Sequence, residues 1–154
     1  MTPTNEYLTF RLGDEEYGID ILKVQEIRSW ERPTALANAP TYVKGVVDLR
    51  GRIVPIVDLR LKLGLAETRH GSAMVVIILS LAREVVGIVV DSVSDVITVA
   101  AQQMRPAPRL AASLDTAFIT GLAALGDRML VLTDIERLVT GSSDLRSAAE
   151  PLAA

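Results

Sequence analysis

The amino-acid sequence predicts a mainly β fold, made of two similar small barrels packed together with a few short helices. Three observations lead to this prediction: short strand-like runs dominate the chain, turn-forming residues separate them, and two long segments repeat in the same order. The chain has 154 residues, of which 49% are hydrophobic and only 4% are aromatic. We therefore expect an aliphatic core, large enough for one domain or two small subdomains.

Seven runs have the alternating or continuously apolar pattern and the β-branched residues that are typical of strands. They are Tyr7–Leu12, Glu16–Ile21, Gly45–Asp48, Arg52–Val57, Met74–Leu81, Val85–Asp91 and Met129–Leu132. Turn signals lie between several of them, at Gly13-Asp14, Gly51 and Gly126-Asp127. Pro55 has no N–H to donate, so we expect its strand to lie at a sheet edge or to carry a bulge there.

Helical signals are weaker and shorter than the strand signals. Asp58 precedes LRLKL and Asp134 precedes IERLV, and each aspartate is predicted to cap the first turn of a short helix. Residues 100–104 are expected to form a further turn, which Pro106 stops. Residues 141–154 are mostly small or polar, and we expect a frayed helix or a flexible tail there.

Two gapless matches within the chain indicate a duplication. Residues 42–64 align with 118–140 at a shift of 76, and residues 8–28 align with 77–97 at a shift of 69. The equivalent positions include Gly45 with Gly121, Leu49 with Leu125, Arg52 with Arg128, Asp58 with Asp134, Gly18 with Gly87 and Glu26 with Asp95. Each unit of about 60 residues has the size of a barrel of about five strands. Two barrels with a seam between them are therefore predicted.

Charge and composition argue against several kinds of partner. The formal net charge is −3 and no basic stripe is present, so nucleic acid is not expected as a partner. The chain has no cysteine, which fits a reducing compartment. The N-terminus lacks the basic and apolar regions of a secretory signal, and no apolar run approaches the ~18 residues of a membrane helix. We expect a cytoplasmic protein without direct membrane insertion.

No constellation of residues suggests catalysis. The one histidine, His70, lies in the polar stretch ETRHGS, whereas a catalytic base needs a nucleophile and an orienting acid beside it. A solvated loop histidine is the expected outcome. A metal site would depend on scattered carboxylates, and the chain has no glycine-rich phosphate loop. The sequence predicts no enzyme activity, no catalytic residue, no metal site and no bound cofactor.

Arg50 is the most informative single residue. Its repeat equivalent is Gly126, at a turn where glycine is conformationally convenient. Arg50 is either an ordinary exposed arginine or a charge displayed at the seam, where it meets a partner or Glu26. Val24 and Ile27 are similarly either core residues or the apolar floor of a groove between the two units.

Five segments of the chain resemble the CheW-like family of chemotaxis coupling domains. They are LGDEEYGIDILKVQEIR (12–28), GVVDLRGRIVPIVDLR (45–60), VVGIVVDSVSDV (85–96), RPAP (105–108) and TGLAALGDRML (120–130). The resemblance implies a single CheW-like domain over residues 7–140, built of two SH3-like five-stranded barrels around a shared hydrophobic core. The first barrel is expected at roughly 14–75. The second is expected at roughly 76–140, together with the N-terminal strand.

The resemblance also implies a function. Members of this family are non-enzymatic adaptors that couple the cytoplasmic tips of chemoreceptors to the regulatory domain of the histidine kinase CheA. Receptor control of autophosphorylation and assembly of membrane-associated receptor arrays follow from this coupling. A similar scaffold serving another receptor–kinase system, such as surface motility, is the alternative. A small-barrel nucleic-acid or ligand binder is disfavoured, because exposed aromatic and basic residues are scarce.

Residue by residue, the resemblance implies a receptor-binding groove between the barrels. Its positions in this chain are Val24, Glu26, Arg50, Val75, Gly87 and Val96. The valines would receive apolar residues of a receptor helix, and Arg50 would supply a charged contact at the rim. Gly87 would allow close approach of backbones. We add the hypothesis that Glu26 and Arg50 form an ion pair that orients the arginine.

Overall fold

The computed structural model describes residues 6–63, 74–82, 84–106 and 119–140. Within these ranges the chain forms eleven strands and two short α-helices. The strands are β1 (Glu6–Leu12), β2 (Glu15–Asp20), β3 (Val24–Ser29), β4 (Val43–Leu49), β5 (Arg52–Asp58), β6 (Val75–Ser80), β7 (Val85–Val90), β8 (Ser92–Thr98), β9 (Met104–Arg105), β10 (Ile119–Leu125) and β11 (Arg128–Thr133). The helices are α1 (Leu59–Lys62) and α2 (Ile135–Thr140), and 3-10 turns occupy Ile21–Lys23 and Ala101–Gln103.

The strands form two sheets. The first has six strands in the order β8-β1-β2-β11-β10-β9, and the second has five in the order β3-β6-β7-β5-β4. The β2–β11 and β5–β7 pairs are parallel, and the other ladders are antiparallel. The prediction of a mainly β fold with a few short helices is confirmed.

The duplication is visible in the order of the elements. The shift of 76 carries β4, β5 and α1 onto β10, β11 and α2, and the shift of 69 carries β1, β2 and β3 onto β6, β7 and β8. The two halves exchange hairpins: β1–β2 joins the sheet of β8 to β11, and β6–β7 joins the sheet of β3 to β5. Sheet membership therefore does not follow the chain segments 14–75 and 76–140. The barrel boundaries stay a prediction, because the strand order of the sheets does not define where one barrel ends and the other begins.

Strand alternation divides the buried side chains into three clusters. On β6, Val76 and Ile78 point to the opposite face from Ile77 and Leu79. The shared core lies between the sheets and includes Leu8, Phe10, Leu12, Tyr17, Ile19, Val57, Ile77, Leu79, Val86, Ile88 and Val90. The other face of the five-stranded sheet buries Leu49, Val54, Ile56, Met74, Val76, Ile78, Val85 and Val89. The corresponding cluster of the six-stranded sheet contains Val99, Ala123, Leu130 and Leu132.

The same backbone contact lies beside β4 in one half and beside β10 in the other. In the first half, Thr34 exchanges two hydrogen bonds of 2.9 Å with Val46 of β4. In the second half, β9 pairs with β10 at the equivalent place. The close backbone contact needs a glycine in each half. A Cβ at Gly45 would collide with the carbonyl of Thr34, and a Cβ at Gly121 would lie 2.9 Å from the carbonyl oxygen of Arg105.

Both predicted helix caps are present. The carboxylate of Asp58 is buried and accepts hydrogen bonds from the backbone N–H groups of Arg60 and Leu61, at 3.0 and 3.3 Å. Asp134 accepts one from the backbone N–H of Arg137 at 3.1 Å. Each aspartate satisfies donors that the first helical turn would otherwise leave unpaired.

An ion pair holds the first turn of each helix to the opposite half of the duplication. Arg60 of α1 contacts Asp91, which follows β7, at 3.0 Å. Glu136 of α2 contacts Lys23, which precedes β3, at 3.2 Å. Arg60 and Glu136 are repeat equivalents, and their partners lie one position apart in the repeat, so similar contacts are made with the charges reversed.

The seven predicted strands correspond to β1, β2, β4, β5, β6, β7 and β11, within two residues at each end. The predicted turn at 100–104 is the 3-10 turn Ala101–Gln103, whereas the predicted tail, residues 141–154, lies outside the described residues. The expectation for Pro55 is wrong. Its strand lies between β7 and β4, and the bulge occurs at Lys44. Pro55 is tolerated because the ladder to β7 begins only at Ile56.

Gly87 and its repeat equivalent Gly18 lie on the faces of the two sheets that point away from the shared core. A methyl group at Gly87 would come within 2.7 Å of Ile56 Cδ1 and 3.0 Å of Val76 Cγ1. At Gly18 the closest atom would be Leu132 Cδ2, at 3.1 Å. Gly87 is therefore the tighter of the two positions.

We expect Gly87→Ala to lower the free energy of unfolding by about 1–3 kcal/mol, because the buried neighbours of Gly87 cannot all move away. Gly18→Ala is the matched control and is expected to cost less. Urea denaturation of both variants measures the two changes. Equal stability of Gly87→Ala and the wild type would contradict this account of the packing.

Candidate functional site

The β4–β5 hairpin displays Arg50 in a two-residue turn. Arg50 and Gly51 both have left-handed backbone conformations, with φ of 52° and 86°, as a type I′ turn requires. Asp48 Oδ1 accepts a hydrogen bond from the backbone N–H of Gly51 at 2.8 Å and fixes the turn. A left-handed conformation costs a non-glycine residue roughly 1–2 kcal/mol. The β4–β5 turn thus holds a cation in a strained conformation. In the equivalent β10–β11 turn, Gly126 adopts a similar conformation without strain.

Arg50 and Glu26 form the ion pair that the sequence suggested. Arg50 Nη2 donates to both carboxylate oxygens of Glu26, at 3.0 Å each, and Arg28 Nη1 lies 3.7 Å from the same carboxylate. The Arg50 side chain is 65% exposed, so the pair contributes only ~0–1 kcal/mol to stability. Because β3 and β4 are the two edges of their sheet, the contact joins opposite edges and fixes the direction of the guanidinium.

A bulge in β3 turns two apolar residues toward the face of the shared core. Val24 lies opposite Leu79 and Ile27 lies opposite Ile77, with one extra residue, Gln25, between them and no partner of its own. Val24 packs against the shared core, whereas Ile27 is 45% exposed. We call Val24 and Ile27 the β3 strip.

The equivalent bulge in β8 produces a second strip. Val93 lies opposite Phe10 and Val96 lies opposite Leu8, so both valines face the same way although they are three residues apart. Val93 packs against the shared core and Val96 is 50% exposed. We call Val93 and Val96 the β8 strip.

The structure brings together some of the predicted receptor-binding residues. Glu26 and Arg50 are in contact, and Val24 and Val75 pack against the shared core from opposite ends of the β3–β6 ladder. Val96 belongs to the other sheet, where it lies on β8 opposite Leu8. A groove joining the three valines therefore stays a prediction.

Gly87 is buried on the face of β7 that points away from the shared core, and it offers no exposed surface. The space above it is filled by Ile56, Val76 and Ile78. The six positions implied by the resemblance omit two strip residues, Ile27 and Val93. The sequence had already indicated Ile27 as a possible groove residue, and the repeat could have found Val93, since it pairs Val24 with Val93.

A small pocket of about 40 Å³ opens beside the ion pair. It is lined by Arg28, Ser29, Glu31, Val47, Asp48, Leu49, Ile56, Val76 and Ile78. This volume suits a few water molecules and falls far below the roughly 300 Å³ that a cofactor needs. Gly87 lies under its apolar floor.

The described ranges hold neither a candidate metal cluster nor a candidate membrane-spanning helix. They contain no group of three or more His, Cys, Asp or Glu residues that could hold a metal ion. None of the helices in that part of the chain is long and apolar enough to cross a membrane. His70 lies outside the described residues.

A second carboxylate–arginine contact anchors the bulge of β8. The hydroxyl of buried Thr9 lies 2.5 Å from Asp95 Oδ1 and accepts a hydrogen bond from the Asp95 backbone N–H at 3.0 Å. Arg128 Nη2 lies 3.2 Å from Asp95 Oδ1, and Arg128 also forms a bidentate pair with Glu16 at 2.7 and 3.1 Å. The hydrogen bonds from Thr9 and Arg128 lower the pKa of Asp95, and the bond to Glu16 raises the pKa of Arg128.

Acid is expected to weaken this network. The folded-state pKa of Asp95 lies below its ordinary value of 3.8, so its contribution is present in full above that value and is lost as pH falls through the lowered pKa. The stability difference between the wild type and Asp95→Asn should therefore shrink from about pH 7 to about pH 3. Urea denaturation across this range measures it. A difference that does not change with pH would contradict the assignment.

Comparisons with known proteins agree with this architecture. A family model described as CheW-like domain matches residues 6–143. The chemotaxis protein CheW of Klebsiella aerogenes is 55% identical over 139 residues, which cover 90% of this chain and 84% of that protein. A probable chemotaxis protein CheW of Rhizobium etli is 38% identical over 133 residues, 86% of each chain.

A solved structure extends the likeness to three dimensions. The crystal structure of the scaffolding protein TtCheW from Thermoanaerobacter tengcongensis matches with a TM-score of 0.81 at 28% identity. The match covers 89% of this chain and 93% of that one. The sheets, the duplicated halves and the matched sequence lead to one conclusion: this chain belongs to the CheW-like domain family.

Proposed function

We propose that this chain is a non-enzymatic chemotaxis scaffold that couples the cytoplasmic tips of chemoreceptors to the histidine kinase CheA. The observation that carries the proposal is the display of Arg50: a strained turn holds it outward, and its ion pair with Glu26 ties it to the edge strand β3, whose other face carries the half-exposed β3 strip. An edge strand with an apolar strip and a directed charge offers an amphipathic helix both an apolar surface and a charged rim. The names of the relatives, chemotaxis protein and scaffolding protein, support the same function.

The receptor helix would lay its apolar side chains against Val24, Ile27, Val75 and Val96 and meet Arg50 at the rim. Apolar contacts supply most of the affinity in this kind of recognition, and the rim charge adds orientation and association rate. Gly87 acts only indirectly in this proposal. Its missing side chain lets Ile56, Val76 and Ile78 pack closely beneath the pocket beside Arg50.

The remaining parts of the proposal follow from family membership. The chain would bind the regulatory domain of CheA and help to assemble receptor arrays, working in the cytoplasm and joining the membrane through its partners. Reconstitution tests this proposal. Chemoreceptors in lipid nanodiscs and purified CheA are combined with and without the chain, and autophosphorylation of the kinase is followed.

Receptor control of autophosphorylation is expected only when the chain is present. Equal control in its absence would overturn the proposed function. Binding of the chain to the receptor and to CheA, measured separately, identifies which half of the coupling has failed.

Arg50→Gly separates binding from stability. Glycine relieves the left-handed strain, while the lost ion pair and the added chain entropy offset that gain, so the free energy of unfolding should stay within about 1 kcal/mol of the wild type. Binding to a soluble fragment of the chemoreceptor tip should weaken about tenfold, or about 1.4 kcal/mol.

Arg52→Ala is the matched control, because Arg52 is an exposed arginine of the same hairpin. It should bind the receptor fragment nearly as well as the wild type does. Calorimetry gives the affinities, and urea denaturation gives the stabilities. Full binding by Arg50→Gly would remove Arg50 from the proposed contact surface.

A further inference from the structure

We infer that Thr9, together with Asp95, Arg128 and Glu16, positions the β8 strip so that Val96 is presented to the receptor helix. The inference rests on the proposed function and adds four positioning residues to it. It starts from the buried polar side chains of the described residues, which are Thr9, Asp58 and Thr133. Asp58 caps α1, and Thr133 donates to the carbonyl of Gly18. Thr9 alone is directed into a bulge.

The bulge determines which way Val96 points. Side chains in a strand alternate between faces, so without the extra residue Val93 and Val96 would point to opposite faces of the sheet. The bulge leaves backbone groups of β8 without partners in the ladder. The hydroxyl of Thr9 compensates for this loss, because it accepts from the backbone N–H of Asp95 and contacts its carboxylate.

The network extends across four neighbouring strands. Thr9 lies on β1, Asp95 on β8, Glu16 on β2 and Arg128 on β11, which are consecutive in the six-stranded sheet. As an edge strand, β8 pairs with β1 alone, and the network links it to the two strands beyond. An edge strand held in this way is preorganised for binding, because less conformational entropy is lost when the partner binds.

The first half lacks the equivalent of this anchor. The residue equivalent to Thr9 is Ile78, which is fully buried and has no hydroxyl to offer the bulge of β3. Among the described residues, Glu26 is held there only by the exposed Arg50 and, at 3.7 Å, by Arg28. The two strips thus present similar apolar residues, but the β8 strip is fixed by hydrogen bonds to the buried Thr9 and the β3 strip has no such anchor among the described residues.

The test uses Thr9→Val, which keeps the shape of the side chain and removes the hydroxyl. Thr9→Ser restores a hydroxyl, and Thr133→Val is a matched control, since it also removes a buried threonine hydrogen bond from the same sheet. A soluble helical fragment of the chemoreceptor tip serves as the probe. We expect Thr9→Val to weaken its binding roughly 5- to 20-fold, while Thr9→Ser and Thr133→Val bind nearly as well as the wild type.

Combination with strip variants distinguishes positioning from a general structural effect. In a Val96→Ala background, Thr9→Val should cause no further loss of affinity, because the residue it positions is gone. In a Val24→Ala background, its full effect should persist. Equal losses in both backgrounds would overturn the inference.

Amide hydrogen exchange supplies a readout that needs no partner. Thr9→Val should accelerate exchange at residues 94–97 of β8 and leave β3 unchanged. Unchanged exchange in β8 would overturn the inference even if the receptor fragment binds. Failure of the wild-type chain to bind that fragment, with faster exchange in Thr9→Val, would instead count against the proposed function.

Discussion

The structure depends on one constraint: both sheets must be buried on two faces. Each sheet contributes one face to the shared core and keeps a smaller apolar cluster on the other. All six residues of β7 are buried for this reason, and β6 is apolar over five consecutive positions. A sheet covered on both sides cannot alternate between apolar and polar residues. The exchange of hairpins meets this constraint by tying both halves into both sheets.

The functional features lie where this burial ends. β3 and β8 are edge strands, and each has a bulge, an apolar residue left half exposed and a carboxylate bound to an arginine of a hairpin further along the chain, β4–β5 or β10–β11. Edges are where a sheet can accept another protein, and bulges and charges there prevent uncontrolled pairing of strands. The same devices that protect the edges thus provide directed side chains for a specific partner.

Much of the fold could be predicted from the sequence, because β-branched runs, turn residues and the duplication all point the same way. β10 was not predicted: its sequence ITGLAAL contains small residues that lack strand character, and Ala123 is buried by its neighbours. The exchange of hairpins could not be predicted either, since a repeat identifies equivalent elements but not their partners. The expectation for Pro55 failed because its strand is central and yet loses no hydrogen bond there, since the ladder to β7 begins only at Ile56.

The site was predictable to a similar extent. The pair of Glu26 and Arg50 followed from a charged residue standing at a glycine turn, and the structure contains it. Thr9 could not be singled out, because its importance depends on a bulge in another strand 86 residues away. Gly87 was expected in a groove but lies inside the sheet, since glycine provides space for neighbours as readily as for partners.

The ion pairs of α1 and α2, Arg60–Asp91 and Glu136–Lys23, have opposite polarity, and this affects how a duplicated chain avoids assembling incorrectly. Two copies of one unit can in principle trade places, within a molecule or between molecules. If α1 docked where α2 belongs, Arg60 would face Lys23, and Glu136 would face Asp91 in the reciprocal error. Like charges in contact would raise the energy of both mistakes. The opposite polarity of the two ion pairs therefore favours docking of each helix at its own site over docking at the equivalent site.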